Sequence, residues 1–112
     1  MKLLIAGSRS IAQFDLSQHI PPETDTIISG GASGIDTLAE IYADKHRISK
    51  YIIRPQYALF GRAAPLKRNC EMVDMADMVL IIWDGSSRGT RQIVDYASKQ
   101  GKPFVLIQVQ DK

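Results

Sequence analysis

The stretch TIISGGASGIDTLAEIYADK, residues 26–45, holds three structural signals in twenty residues. It opens on an apolar run, Thr26-Ile27-Ile28, with no polar alternation, which suits a strand buried on both faces. It closes on Ile35, Leu38, Ala39 and Tyr42 at i, i+3, i+4 and i+7, one stripe of a helix. Between them lie Ser29, Gly30, Gly31, Ser33 and Gly34. A turn that only reversed the chain would need one glycine. Three glycines with hydroxyls between them let a backbone approach a bound group closely. Ser33 has the side chain of an N-cap, and Asp36 three residues on completes a variant of the capping box.

The same alternation extends in both directions. Apolar runs recur at KLLIAG (2–7), TIISG (26–30), KYIIRP (50–55), DMVLIIW (77–83) and PFVLIQV (103–109). Helical stripes fill most gaps: Leu66, Cys70 and Val73 over 65–76, with Pro65 at the first helical position, then Thr90, Ile93, Val94 and Ala97 over 88–100, with Gly101 as the stop. A shorter helix is expected around 12–20, ending at Pro21-Pro22. Strands alternating with helices imply right-handed βαβ units. The expected fold is a three-layer, Rossmann-like α/β domain with a five-stranded parallel sheet, spanning 1–112 as one unit.

The totals narrow the function. The chain has 112 residues, 45% of them apolar, enough for a core without a staple. Its single cysteine, Cys70, forms no internal disulfide and suits a reducing, cytoplasmic compartment. Besides it stand only His19 and His46, so no metal cluster is expected. The run at 2–7 stops at Gly7, too short for a secretory core or a membrane span. A formal charge of +2 neither demands nor excludes a polyanionic partner.

In parallel sheets, ligands bind beyond the carboxyl ends of the strands, where helix N-termini present free amides. Three loops fall there: GSRS (7–10), GGASGID (30–36) and DGSSRGT (84–90). Basic residues join them: Arg9, Arg54, Arg62, Lys67, Arg68, Arg88 and Arg91. Cations at helix N-termini oppose the macrodipole unless an anion is present. A phosphate-bearing ligand is therefore expected. Neither GxGxxG nor GxxxxGK[ST] spacing occurs, which argues against an ordinary dehydrogenase or P-loop NTPase. Trp83 reads either as a base-stacking surface or as cover for the sheet end. Tyr57 and Phe60 read either as a wall or lid over the site or as local packing. Asn69 either holds a ligand or caps a neighbouring loop, and Cys70 reads as a small core residue.

The ordered combination GSR…SGGASGID…GRAAPLKRN…ADMVLIIWDGSSRGT…DYASKQGKP resembles the SLOG superfamily, which joins the Smf/DprA DNA-processing proteins to the LOG phosphoribohydrolases. It is most similar to the small stand-alone YspA/YpsA-related branch. The resemblance covers nearly the whole chain and implies a nucleotide or nucleotide-derived ligand. By position, it implies binding residues at Gly7, Ser8, Arg9, Gly30, Gly31, Ser33, Gly34 and Asp36, at Arg68 and Asn69, and at Asp84, Gly85, Ser87, Gly89 and Thr90. Arg88, from the basic edge, joins them. Two departures stand out. The LOG enzymes carry glycine-threonine and, past two further residues, a catalytic glutamate; here GTRQI (89–93) puts Ile93 there. The accessory domain of the DNA-processing relatives is also missing from this sequence.

The favoured expectation is therefore a nucleotide-binding or sensing domain, a homodimer in solution, with no membrane association and no cofactor besides its phosphate-bearing ligand. Two alternatives stay open. One is a nucleotide N-glycosidic hydrolase using Asp36, Glu71, Asp84 or Asp95. The other, less favoured, is a single-strand nucleic-acid binder.

Overall fold

The computed structural model describes residues 1–109, and five strands in it form one all-parallel sheet. They are β1 (Lys2–Gly7), β2 (Thr26–Ser29), β3 (Ser49–Ile52), β4 (Met78–Trp83) and β5 (Phe104–Gln108), in the order β3-β2-β1-β4-β5. The helices are α1 (Ile35–Lys45), the short α2 (Tyr57–Phe60), α3 (Ala64–Met75) and α4 (Arg88–Lys99). The α/β, Rossmann-like architecture expected from the alternating pattern is the one observed.

The pleat of β1 sorts its side chains between two cores, because successive residues face opposite sides of a strand. Leu3 and Ile5 pack with Ile27, Leu80 and Ile82 under α1, through Ile35, Ala39 and Ala43. Leu4 and Ala6 pack on the other face with Ile28, Val79 and Ile81 under α3 and α4, through Met72, Val73, Ile93 and Ala97. Register pairs such as Leu3↔Ile27 and Leu4↔Val79 hold the strands level, so their carboxyl ends finish along one edge. The chain reverses at β1: β2 and β3 lie to one side, β4 and β5 to the other. That switch point opens a crevice at the carboxyl edge.

Four local expectations are corrected. No helix forms over 12–20; the segment is irregular, with a single turn at 17–19. Asp15 accepts hydrogen bonds from the Ser17 amide (3.0 Å) and hydroxyl (2.6 Å), the local bonding by which such residues compete with helix. The segment still buries Ile11 and Leu16 against the α1-side core. Ser33 does not cap α1. The cap residue is Gly34, and no side chain caps it. On α3, Leu66 is 51% exposed and Cys70 is only half-buried, while Arg68 and Asn69 are buried. The inward stripe is Ala64, Arg68, Asn69, Met72 and Val73, turned away from the apolar spacing by two polar residues that face the crevice. Finally, β3 and β5 are edge strands with mostly exposed side chains, so three runs, not five, are buried on both faces.

Candidate functional site

Ser8 ties the site together from beneath. It is fully buried. Its amide donates to the Ile82 carbonyl (3.1 Å), its hydroxyl accepts from the Asp84 amide (2.9 Å), and its carbonyl accepts from the Ile35 amide (3.4 Å). One residue thereby joins the ends of β1 and β4 to the start of α1. Gly7 permits this closeness. A Cβ there would stand 2.3 Å from the Ile82 carbonyl oxygen and 2.6 Å from Ile35 Cγ1. Arg9 and Ser10, next along, face the crevice.

The 30–36 loop meets them. Gly34 has φ +74° and sits against the Ser8 and Arg9 carbonyls, a conformation and a spacing that only glycine satisfies. Asp36, 7% exposed, turns its carboxylate back to accept from the Ala32 amide at 3.1 Å. Burial pushes this carboxyl above the usual aspartate range; the Ala32 amide and the Arg68 guanidinium oppose that only in part. Gly30 and Gly31 contribute carbonyls. Gly30 accepts from Arg68 Nη1 at 2.6 Å, and Gly31 accepts from Arg54 Nη1 at 3.2 Å. Ser33 is exposed and takes no part in the wall.

From α3 comes Arg68, 8% exposed. Besides Gly30 it donates to the Ile53 carbonyl (3.3 Å) and, through Nε, to Asn69 Oδ1 (2.9 Å). Asn69 passes the chain on, donating to Gln92 Oε1 of α4 at 2.9 Å. Arg68 and Asp36 line the same crevice without forming an ion pair within 4.0 Å among the described residues. Burial pulls the Arg68 guanidinium downward, and Asp36 counters it.

The 84–90 loop closes the ring. Asp84 Oδ1 accepts from the Ser86 and Ser87 amides, both at 2.9 Å, and Oδ2 accepts from the Ser10 hydroxyl at 2.8 Å. These donors hold its carboxyl far below the usual range, so it stays ionised. Ser87 caps α4, its hydroxyl accepting from the Thr90 amide at 3.3 Å. Thr90 is buried and Gly89 lines the crevice. Gly85, with φ +89°, turns the loop beside Gln108, and Arg88 is exposed outside the crevice. Trp83 donates to the Ser87 carbonyl (3.0 Å) and packs on the α4-side core, covering the sheet end.

Together these elements enclose a cavity of about 420 Å³, within the range of small-molecule sites. Of the residues expected at the site, Gly7, Arg9, Asp36, Arg68, Asn69, Asp84, Ser87, Gly89 and Thr90 line it. Ser8, Gly30, Gly31, Gly34 and Gly85 shape the loops around it. Ser10 and Ala32 line it too and lie within two of the three loops; Pro65, Met72 and Ile93 give it an apolar floor. Met72 and Pro65 carried no polar signal that would mark them in advance. Ile93 presents an apolar side chain to the cavity, so this turn of α4 brings no carboxylate to it. The amides of Asp36 and Thr37 in the first turn of α1, and of Gly89 in α4, have no acceptor among the described residues. Such amides are the anion-binding groups of helix N-termini. Other acidic candidates fall away: Glu71 is exposed, and Asp95 sits in solvent 3.9 Å from Arg91.

No protein-family model matches the chain, and no curated protein or solved structure matches it. Among the described residues, no helix is long and apolar enough to cross a membrane.

Proposed function

We propose that the protein binds a nucleotide or nucleotide-derived ligand, its phosphate held at the carboxyl edge of the sheet. One observation carries this reading: three glycine- and serine-rich loops, two arginines and the two residues Asp36 and Gly89, whose amides have no acceptor among the described residues, meet at one cavity. Arg9 and Arg68 supply charge, the amides of Asp36 and Gly89 supply donors, and Ser10, Ser87 and Thr90 supply hydroxyls. The SLOG resemblance adds the nucleotide; the phosphate stands on the residues alone. Thermal unfolding with and without adenosine 5′-monophosphate tests it. A ligand present at 100 times its Kd stabilises the fold by about 2.7 kcal/mol, or about 10 °C for a domain of this size. Arg9→Ala, which removes an exposed crevice cation, should shrink that increment. An increment unchanged by Arg9→Ala would count against this placement.

A second reading, N-glycosidic hydrolysis, is favoured by Asp36. Its carboxyl is buried, raised in pKa and faces the cavity, the setting in which a carboxylic acid serves as a proton donor. The missing carboxylate at Ile93 opposes it, because an oxocarbenium-like centre needs a nearby anion. Chromatography of nucleoside monophosphates incubated with the protein separates the two. Free base that disappears in Asp36→Asn would establish hydrolysis.

A further inference from the structure

The segment from Pro55 to Ala63 joins the end of β3 to the start of α3 and holds the least integrated apolar residues of the fold. It carries α2, in which no residue is buried: Tyr57 is 59% exposed, Leu59 71% and Phe60 45%. Its backbone hydrogen bonds close on themselves. The Leu59 and Phe60 amides donate to the Gln56 carbonyl, the Gly61 amide to Tyr57, and the Ala64 amide to Gly61. Among the described residues, no backbone hydrogen bond ties 55–63 to the sheet, and the Ala64 bond at its far end is its one backbone link to α3. Side chains hold it loosely, with the Lys67 ammonium 5.7 Å from the centre of the Phe60 ring.

One end of this strap adjoins the cavity wall, and the other is tied to it through Arg68. The Ile53 carbonyl, two residues before it, accepts from Arg68, and Pro65, two residues after it, lines the wall. Among the described residues no aromatic side chain lines the cavity itself, and Trp83 is committed to the sheet end. Exposed aromatics on a weakly tethered strap beside a polar, anion-binding crevice have one partner at hand, a flat apolar group projecting from that crevice. Gly61, with φ +55° and open space around it, supplies a pivot.

We propose that residues 55–63 form a lid, and that Tyr57 and Phe60 close over the aromatic heterocycle of the ligand whose phosphate the loops hold. This rests on the phosphate-site reading above. It assigns the two ends of the ligand to different residues: phosphate to the β1, α1 and α4 ends, ring to the strap. The ring contact separates nucleotides from bare phosphates; because every base offers a flat face, stacking accepts any of them.

Calorimetric titration of the full chain with three probes tests the lid: adenosine 5′-monophosphate, ribose 5-phosphate and inorganic phosphate. Stacking on one aromatic is worth roughly a factor of ten or more in affinity. Tyr57→Ala and Phe60→Ala should each lose about that factor for adenosine 5′-monophosphate and leave the other two probes unchanged, while Tyr57→Phe binds like the wild type. Both side chains are exposed, so unaltered melting temperatures should accompany the loss. Limited trypsin cleavage after Arg62, exposed within the strap, gives a second readout: the adenosine probe should slow it and inorganic phosphate should not. Equal losses for adenosine 5′-monophosphate and ribose 5-phosphate, or none for either, overturn the lid and leave the phosphate site standing. Failure of all three probes to bind the wild type overturns the phosphate site itself, and the lid with it.

Discussion

Replacing Arg68 by alanine should damage the fold as well as the site, and the two losses can be measured apart. The Arg68 guanidinium is 8% exposed and joins three acceptors from three parts of the chain: the Gly30 carbonyl, the Ile53 carbonyl and Asn69 Oδ1. Hydrogen bonds from a charged donor contribute about 1.5–3 kcal/mol each when one partner is removed. Two terms reduce that figure. The freed acceptors lie at the wall of an open cavity that water can enter, and removing the cation also removes the cost of burying it. A net loss of about 2–4 kcal/mol follows, or about 8–16 °C in Tm at about 4 °C per kcal/mol for a chain of this length. Lys50→Ala is the control. Lys50 pairs with Asp44 at 2.8 Å on the sheet edge, with the Asp44 side chain 64% exposed, a bridge worth about 0–1 kcal/mol. Scanning calorimetry without ligand measures the first loss, and the Tm increment given by adenosine 5′-monophosphate measures the second. An Arg68→Ala protein melting within about 2 °C of the wild type would refute the clasp.

Three further outcomes are expected. Gly34→Ala should lower the urea midpoint by the equivalent of about 2 kcal/mol or more, since a non-glycine residue at φ +74° is strained and its Cβ would meet the Ser8 carbonyl oxygen at 2.5 Å. Asp36→Asn should flatten the pH dependence of stability. Burial raises the Asp36 carboxyl, so its contribution is greatest below the unfolded aspartate value of about 3.9 and is lost as pH rises through the folded pKa. The variant should therefore gain on the wild type between pH 4 and pH 7.5 in denaturant titrations, and parallel curves would contradict this. Light scattering at tens of micromolar should show a dimer if the exposed Ile41 face of α1 or the exposed flank of α3 pairs with a second copy; a monomer would remove that expectation.

The sheet was legible because its signals are local. Unbroken Val, Ile and Leu runs marked the strands, and the β1–β2–β4 loops announced themselves through glycine. What escaped has physical causes. Ile11, Phe14 and Leu16 bury apolar surface without helical geometry, because Asp15 and Ser17 bond each other. On α3 the apolar spacing pointed to Leu66 and Cys70, but the crevice draws Arg68 and Asn69 inward, and a hydrophobic pattern does not register a buried cation. In the loops, residue type identified the edge yet not each side chain's direction. Ser33 and Arg88 point away, while Ser10, in the same loop as Arg9, reaches Asp84.

The most direct test of the phosphate site is amide NMR during titration with adenosine 5′-monophosphate. Binding as described should move the amides of Ala32–Thr37 and Ser87–Thr90 most, with Asp36 and Gly89 shifting downfield as their free N–H groups gain an acceptor. Shifts confined to the β3 edge around Lys50, or none at millimolar ligand, would contradict the account.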